Sequence, residues 1–254
     1  MYRGFLVALV ALSMVFSLLT IALAQEGNTM ANEGEVVFFE DFKDGMDNWW
    51  VEGGVKVWVM NDRLHMDGDP GGARSDHRPG YGCTVWCKEK FEGDLKIEYD
   101  AHVLYSGPEV NNINFFFYYS DPDGTPMIEK AEERHAREGD YRQYHDLDGH
   151  IITFLQANRD EDMEKPPEER PARVRMRRCP GFELMNETYA YECQANKTYH
   201  CQIIKRGKHI EFSVDGNVLL EAEDDREPLT EGLIGLRTFR TYLWWDNIRV
   251  TKLD

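Results

Sequence analysis

The chain has 254 residues, with 46 acidic against 29 basic side chains, a formal charge of −17 and 12% aromatic content. That acidity excludes nucleic-acid binding through the overall field. The length is enough for one large all-β domain with a sizeable core.

The first element is a targeting segment. Arg3 precedes the apolar run FLVALVALSMVFSLLTIALA, and Ala22-Leu23-Ala24 is a small-x-small cleavage site before Gln25. A run of that length also suits an uncleaved anchor, but the cleavage site favours removal, with a secreted or periplasmic destination. Removal takes away Arg3 and no acid, so the remainder carries −18. No second apolar run of that length follows, and no stable membrane insertion is expected after removal. Residues 1–24 are thus read as signal peptide, 25–34 as a polar spacer and 35–254 as one domain.

From residue 35 the pattern is strand, turn, strand. EVVFFEDF, VKVWVM, RLHMD and TVWCKEKF come first. In LKIEYDAHVL, Leu95, Ile97, Tyr99, Ala101 and Val103 alternate with polar residues, the mark of a half-buried strand. NNINFFFYYS follows, then a helix from about Met127 to Arg137, rich in Glu, Lys, Ala and Arg. Tyr141, Gln143 and His145 alternate along a run read as extended, and HIITFLQ, ARVRMRR and FELM resume the strands. YHCQIIKR, HIEFSVDG, NVLLEAE, GLIGLRTF and YLWWDNIRVTKL complete the set, with a hairpin at Asp215-Gly216. Many short strands with one helix in a loop predict an all-β jelly roll, a sandwich of two antiparallel sheets. The acidic loops 121–140 and 158–171 read as solvated surface.

The cysteines are Cys83, Cys87, Cys179, Cys193 and Cys201. Export permits disulfides, and an odd count leaves at least one thiol unpaired. Cys83 and Cys87 share one strand, where four extended residues separate them by about 13 Å, too far to bridge. Cys193 and Cys201 can close a small loop, with Cys179 a competing partner for either. Asn186 and Asn196 head acceptor sequons. Neither zinc-ligand spacing nor a serine nucleophile motif is present.

Several residues carry candidate chemistry. Tyr141, Gln143 and His145 are assigned to one face of a strand, and Arg173, Arg175 and Arg177 to one face of another. Arginine at every second position is costly in a half-buried strand, which points to a face that holds something anionic. Elimination at a uronate sugar needs a cation or amide on the carboxylate, a base for the C5 proton and an acid for the leaving oxygen. Arg175 or Arg177 with Gln143, His145 and Tyr141 supply those parts. The competing reading is a surface histidine with arginines facing the acidic loops. Asn112 and Asn114 alternate onto a face with Phe116 and Tyr118, as amides beside rings do in sugar clefts. Their alternative is a core strand with satisfied amides. Trp86 is a candidate cleft residue set against a core role, and of Trp244 and Trp245 one faces in and one out.

The opening FFEDFKDGMDNWW and the closing GLIGLRTFRTYLWWDNIRV together resemble the concanavalin A-like lectin/glucanase superfamily. QYHDLDGHIITF followed by RMRRCPGFELM resembles, more narrowly, the uncharacterised YesU-like family, associated with bacterial polysaccharide breakdown. The resemblance covers most of residues 36–253 and implies the concanavalin A-like jelly roll. It also implies room for one structural Ca²⁺ near the termini, with Asp41 and Asp246 at the matching places, while no cofactor is required. The chain lacks the E-x-D-x-E strand of retaining glucanases, so hydrolysis by paired glutamates has no signature.

The expected function is an exported protein acting on a polysaccharide or its oligosaccharides, with an acidic glycan favoured. Lyase or atypical glycosidase chemistry is assigned to His145, Tyr141, Gln143 and Arg175, and binding to Arg173, Arg177, Asn112, Asn114, Tyr118 and Trp86. The alternatives are a non-catalytic carbohydrate-binding module and a structural or adhesion domain.

Overall fold

The computed structural model describes residues 34–54, 56–68, 82–156, 174–189 and 191–254, without the side chains of 107–111. The expected signal peptide and the spacer up to residue 33 lie outside the described residues.

In chain order the strands are β1 (Glu35–Glu40), β2 (Trp49–Gly53), β3 (Lys56–Val59), β4 (Leu64–Asp67), β5 (Gly82–Cys87), β6 (Phe91–Glu92) and β7 (Leu95–Ser120). After a helical segment come β8 (Asp148–Phe154), β9 (Val174–Cys179), β10 (Glu183–Thr188), β11 (Thr198–Arg206), β12 (His209–Val214), β13 (Asn217–Glu223) and β14 (Glu231–Lys252). All the pairings are antiparallel. The expected jelly-roll sandwich is the observed architecture.

Two long strands tie the layers together. The later part of β7 and the start of β14 lie in one sheet, in the order β2-β5-β14-β7-β8-β9-β10. The earlier part of β7 and the end of β14 lie in the other, flanked by β11-β12-β13 on one side and by β1 and β4-β3 on the other. Register breaks between Arg237 and Thr241 mark where β14 changes layer. The alternation read in 95–103 is the alternation observed: Leu95, Ile97, Tyr99, Ala101 and Val103 are buried between the sheets. There Tyr99 stacks on Phe115 at 4.5 Å and packs on Trp245. Trp245 faces this core, and Trp244 faces out from the second sheet.

A second apolar cluster lies on the opposite face of the first sheet, around Trp86, Phe116, Tyr119, Met127, Tyr144 and Ile151. Residues 121–147 cover it as a strap. The strap holds a 3₁₀ turn at Met127–Lys130, helix α1 (Ala131–Ala136) and a second 3₁₀ turn at Tyr141–Tyr144. The predicted helix is therefore present, shorter than expected and preceded by a tighter turn. Where the strap crosses β2 and β5, glycine meets glycine: a Cβ on Gly53, Gly82 or Gly139 would strike the backbone of its neighbour. Backbone lies on backbone here, a contact no side chain permits.

All five cysteines are buried thiols, and no disulfide joins them. None of the pairings left open among Cys179, Cys193 and Cys201 is formed. Burial pushes the Cys83 and Cys87 thiols up to about 12, which makes them inert packing groups.

Candidate functional site

The first sheet carries one polar residue per strand in register across its strapped face. Glu52 on β2 pairs with Thr84 on β5, Thr84 with Arg237 on β14, and Arg237 with Asn114 on β7. Asn114 then pairs with Thr153 on β8, Thr153 with Arg175 on β9, and Arg175 with Glu187 on β10. The row runs from full burial at Glu52 to side chains 26% and 34% exposed at Arg175 and Glu187.

At its closed end the row is internally complete. The Glu52 carboxylate accepts from Trp50 Nε1 (2.9 Å), Trp86 Nε1 (3.1 Å), Tyr144 Oη (3.1 Å) and Arg134, whose Nη2 lies 2.8 Å away. Arg134 also donates to the carbonyl of Met127. This buried ion pair pins helix α1 to the sheet, and with every donor aimed at it Glu52 has no capacity left for a substrate.

Beyond it the row is incomplete. Arg237, 1% exposed, donates to Thr84 Oγ1 and the Gly139 carbonyl at 2.9 Å each, under the Tyr141 ring. Its Nε has no hydrogen-bond partner, nor has either amide atom of Asn114. The same holds for both amide atoms of Gln143 and for His145 Nε2, all buried. Buried polar atoms are rarely left this way, and bound water or a polar ligand would satisfy such a group.

Tyr141, Gln143 and His145 do come to this face, but not on a strand. The side chain of Asp140 caps the Arg142 amide at 3.0 Å and starts a 3₁₀ turn, so Tyr141 and His145 meet across one helical turn, with ring centroids 4.7 Å apart. His145 stacks on Phe182 at 3.7 Å, and Arg177 lies over the other residue of that contact, 4.2 Å from the Phe182 ring. The Gly181 amide donates to the His145 carbonyl at 2.9 Å, which ties the β9–β10 turn to the strap. Burial, then the charges of Arg237 and Arg177, push the His145 imidazole down to about 4. It is neutral at pH 7, with an unengaged ring nitrogen.

The other candidates separate. Arg175 faces the same side as Arg177 but leans to Glu187 at 3.9 Å. Arg173 lies outside the described residues. Asn112 is saturated: it donates to Ser106 Oγ and Thr241 Oγ1 and accepts from the Gln156 amide, so it braces strands and cannot reach a ligand. Tyr118 is a correction. It sits at φ 53° in a bulge, which turns its ring away from the strapped face, with its hydroxyl on the Gly93 carbonyl and Lys205 over the ring. Tyr119 takes the position on that face, stacked on Phe116 at 4.8 Å. Trp86 is also a correction, being fully buried beneath the strap with its Nε1 on Glu52.

Asp41 and Asp246 do not form a metal centre. Lys43 holds Asp41 at 2.5 Å and Arg63 approaches Asp246 at 3.6 Å, so the charge a calcium ion would use is engaged. Among the described residues, the three-donor group is His209, Glu211 and Glu221 on the second sheet, with donor atoms within 4.8 Å of one another.

Sequence reasoning missed Glu52, Arg134, Arg237 and Phe182. Arg237 alone left a signal, a single charge inside the apolar strand GLIGLRTF.

Residues 78–248 match the family described as "Domain of unknown function (DUF6250)". The chain is 25% identical over 218 residues to the uncharacterized protein YesU of Bacillus subtilis (strain 168), covering 82% of this chain and 91% of that protein. A solved Bacillus subtilis protein of unknown function with a galectin-like fold superposes with a TM-score of 0.68 at 22% identity, over 88% of this chain and 98% of that one. The carbohydrate recognition domain of Emp46p, in its metal-free form, gives 0.55 at 11% identity, over 88% and 95%. At these identities the two structures establish the sandwich fold. Among the described residues no helix is long and apolar enough to cross a membrane.

Proposed function

This chain belongs to the DUF6250 family, and within it we propose an exported protein that acts on an acidic glycan at the open end of the polar row. The observation that carries the proposal is the set of buried, unpartnered atoms on Asn114, Gln143 and His145 beside Arg177 and Arg237. Sugar hydroxyls and a carboxylate are the chemistry that satisfies such a set. The sugar recognition domain among the fold neighbours agrees with this reading without carrying it.

The chemistry best matched to these groups is β-elimination at a uronate. Arg177, with the Gln143 amide, holds the carboxylate and stabilises the charge that develops beside C5. Neutral His145 accepts the C5 proton. The released electron pair forms the C4–C5 double bond, the C4–O bond breaks, and Tyr141 protonates the leaving oxygen. Solvent then returns a proton to Tyr141 and takes one from His145. Arg175, two residues along β9 on the same face, contacts the next sugar. Hydrolysis by two carboxylates has less support, because Glu52 is saturated and fully buried.

The test is a panel of uronate polysaccharides, followed by ultraviolet absorbance of the unsaturated product and by a reducing-end assay. Absorbance lost in His145→Ala and in Arg177→Ala supports the lyase. Reducing ends without absorbance turn the reading to hydrolysis, and retention on a glycan column without product turns it to a binding module. No binding and no product from any acidic glycan refutes it.

A further inference from the structure

Two cavities flank the first half of the strap, and His145 lines neither. The larger, about 510 Å³, lies among Trp50, Lys88, Tyr119, Asp148, Thr125 and Leu233. The smaller, about 370 Å³, is bounded by Val51, Ala131, Glu132 and His135. Trp50 and Ile128 line both, so they form one groove with these two residues at its waist.

Trp50 is held as a fixed plate. Its Nε1 donates to Glu52 at 2.9 Å, and one ring face stacks on Trp86 at 6.4 Å and 28°. That leaves its half-buried indole to the cavities, opposite Ile128, which is 50% exposed. A rigid aromatic plate ringed by carboxylates and hydroxyls is suited to a pyranose, whose apolar C–H face packs on a ring while its hydroxyls bond the rim. Asp148, 27% exposed, Ser120 and Thr125 supply that rim.

The charge of the groove sets the class of sugar. Its lining holds two lysines, Lys90 at 2.6 Å from Glu231 and Lys88 on the neutral Asp47 carbonyl at 2.6 Å, against the four carboxylates of Asp121, Asp148, Glu231 and Glu132. Asp148, Glu132 and Glu231 stand at the walls. An anionic residue would meet more carboxylates than cations, whereas His145 has Arg177 and Arg237 beside it.

We propose that this groove is a second saccharide site, with Trp50 as its platform, for an uncharged stretch of glycan. It rests on the proposed function only in taking a glycan as the partner, and it does not depend on turnover. Calorimetric titration of the full chain with a panel of short uncharged oligosaccharides (gluco-, galacto-, manno-, xylo- and arabino-) and with oligouronides tests it. At least one uncharged probe binds, and Ile128→Arg, which fills the waist from an exposed position, weakens it at least about tenfold. Trp50→Ala does the same, and Arg177→Ala does not. Ile128→Arg leaves oligouronide binding unchanged. If no uncharged probe binds, or if its binding survives Ile128→Arg and Asp148→Ala, the groove is not a saccharide site. If oligouronides alone fail to bind, the His145 assignment falls and the groove stands.

Discussion

The outer faces of the two sheets are both rich in rings and charges, yet they differ in what those groups do. On the second sheet Trp58 stacks on His65 at 5.2 Å and Trp244 on His102 at 5.0 Å. Lys56 covers Trp58 and Arg63 covers Trp244. His102 Nδ1 lies 2.9 Å from Thr198 Oγ1, and His65 Nδ1 3.0 Å from the Tyr242 hydroxyl. The rings stack in pairs, with their faces covered by neighbours. The second sheet's outer face leaves His65 Nε2 unmet; on the first sheet the Glu52 end is complete, but the stretch from Arg237 through Asn114 to the strap gathers several buried atoms that nothing internal satisfies. Composition does not separate a site from a stabilising surface. The count of unmet partners does.

The largest effect that would sharpen this contrast is at Glu52. Glu52→Ala strips Arg134 of its counter-charge and leaves three further donors buried without an acceptor, a loss of about 3–5 kcal/mol. Denaturant melts of the variant measure it, and a change below about 1 kcal/mol would deny the anchor its role. Next comes His145→Ala. A general base contributes roughly 10²- to 10⁴-fold to rate, so turnover should fall by that order while stability holds, and parallel losses in both would make His145 structural.

The pH dependence follows from the direction of the His145 shift. Its imidazole titrates near 6.5 when unfolded and at about 4 in the fold. Between those values the unfolded chain binds the extra proton, so stability favoured above pH 6.5 declines as pH falls towards 4. The acidic limb of turnover should accordingly lie near 4, and a limb near 6.5 would place His145 in water. The smallest effect is expected on the other face: His102→Ala removes one cross-strand ring pair, worth roughly 0.2–1 kcal/mol, with no change in glycan binding. Loss of binding there would break the comparison.

Much of the fold was legible because period two survives wherever one face is buried, as in 95–103. The site was legible in its residues and not in its geometry. Tyr141 and His145 satisfy an alternating pattern and a helical turn equally well, and only the Asp140 cap decides between them. The order Phe116-Phe117-Tyr118-Tyr119 gives no sign of a bulge, so Tyr118 was assigned the face that Tyr119 occupies. Trp86 carries no mark of the strap that covers it. Glu52 and Arg134 stand 82 positions apart, and a partnership at that range has no local pattern at all.

β7 and β14 each belong to both sheets. The outer ladders β8-β9-β10 and β11-β12-β13 belong to one layer each. The central ladder of each layer is built by the same two strands, so neither centre can let go while the other holds. Amide exchange in the centres of the two sheets should therefore report one opening event with one free energy, and a sugar bound on either face would slow exchange in both.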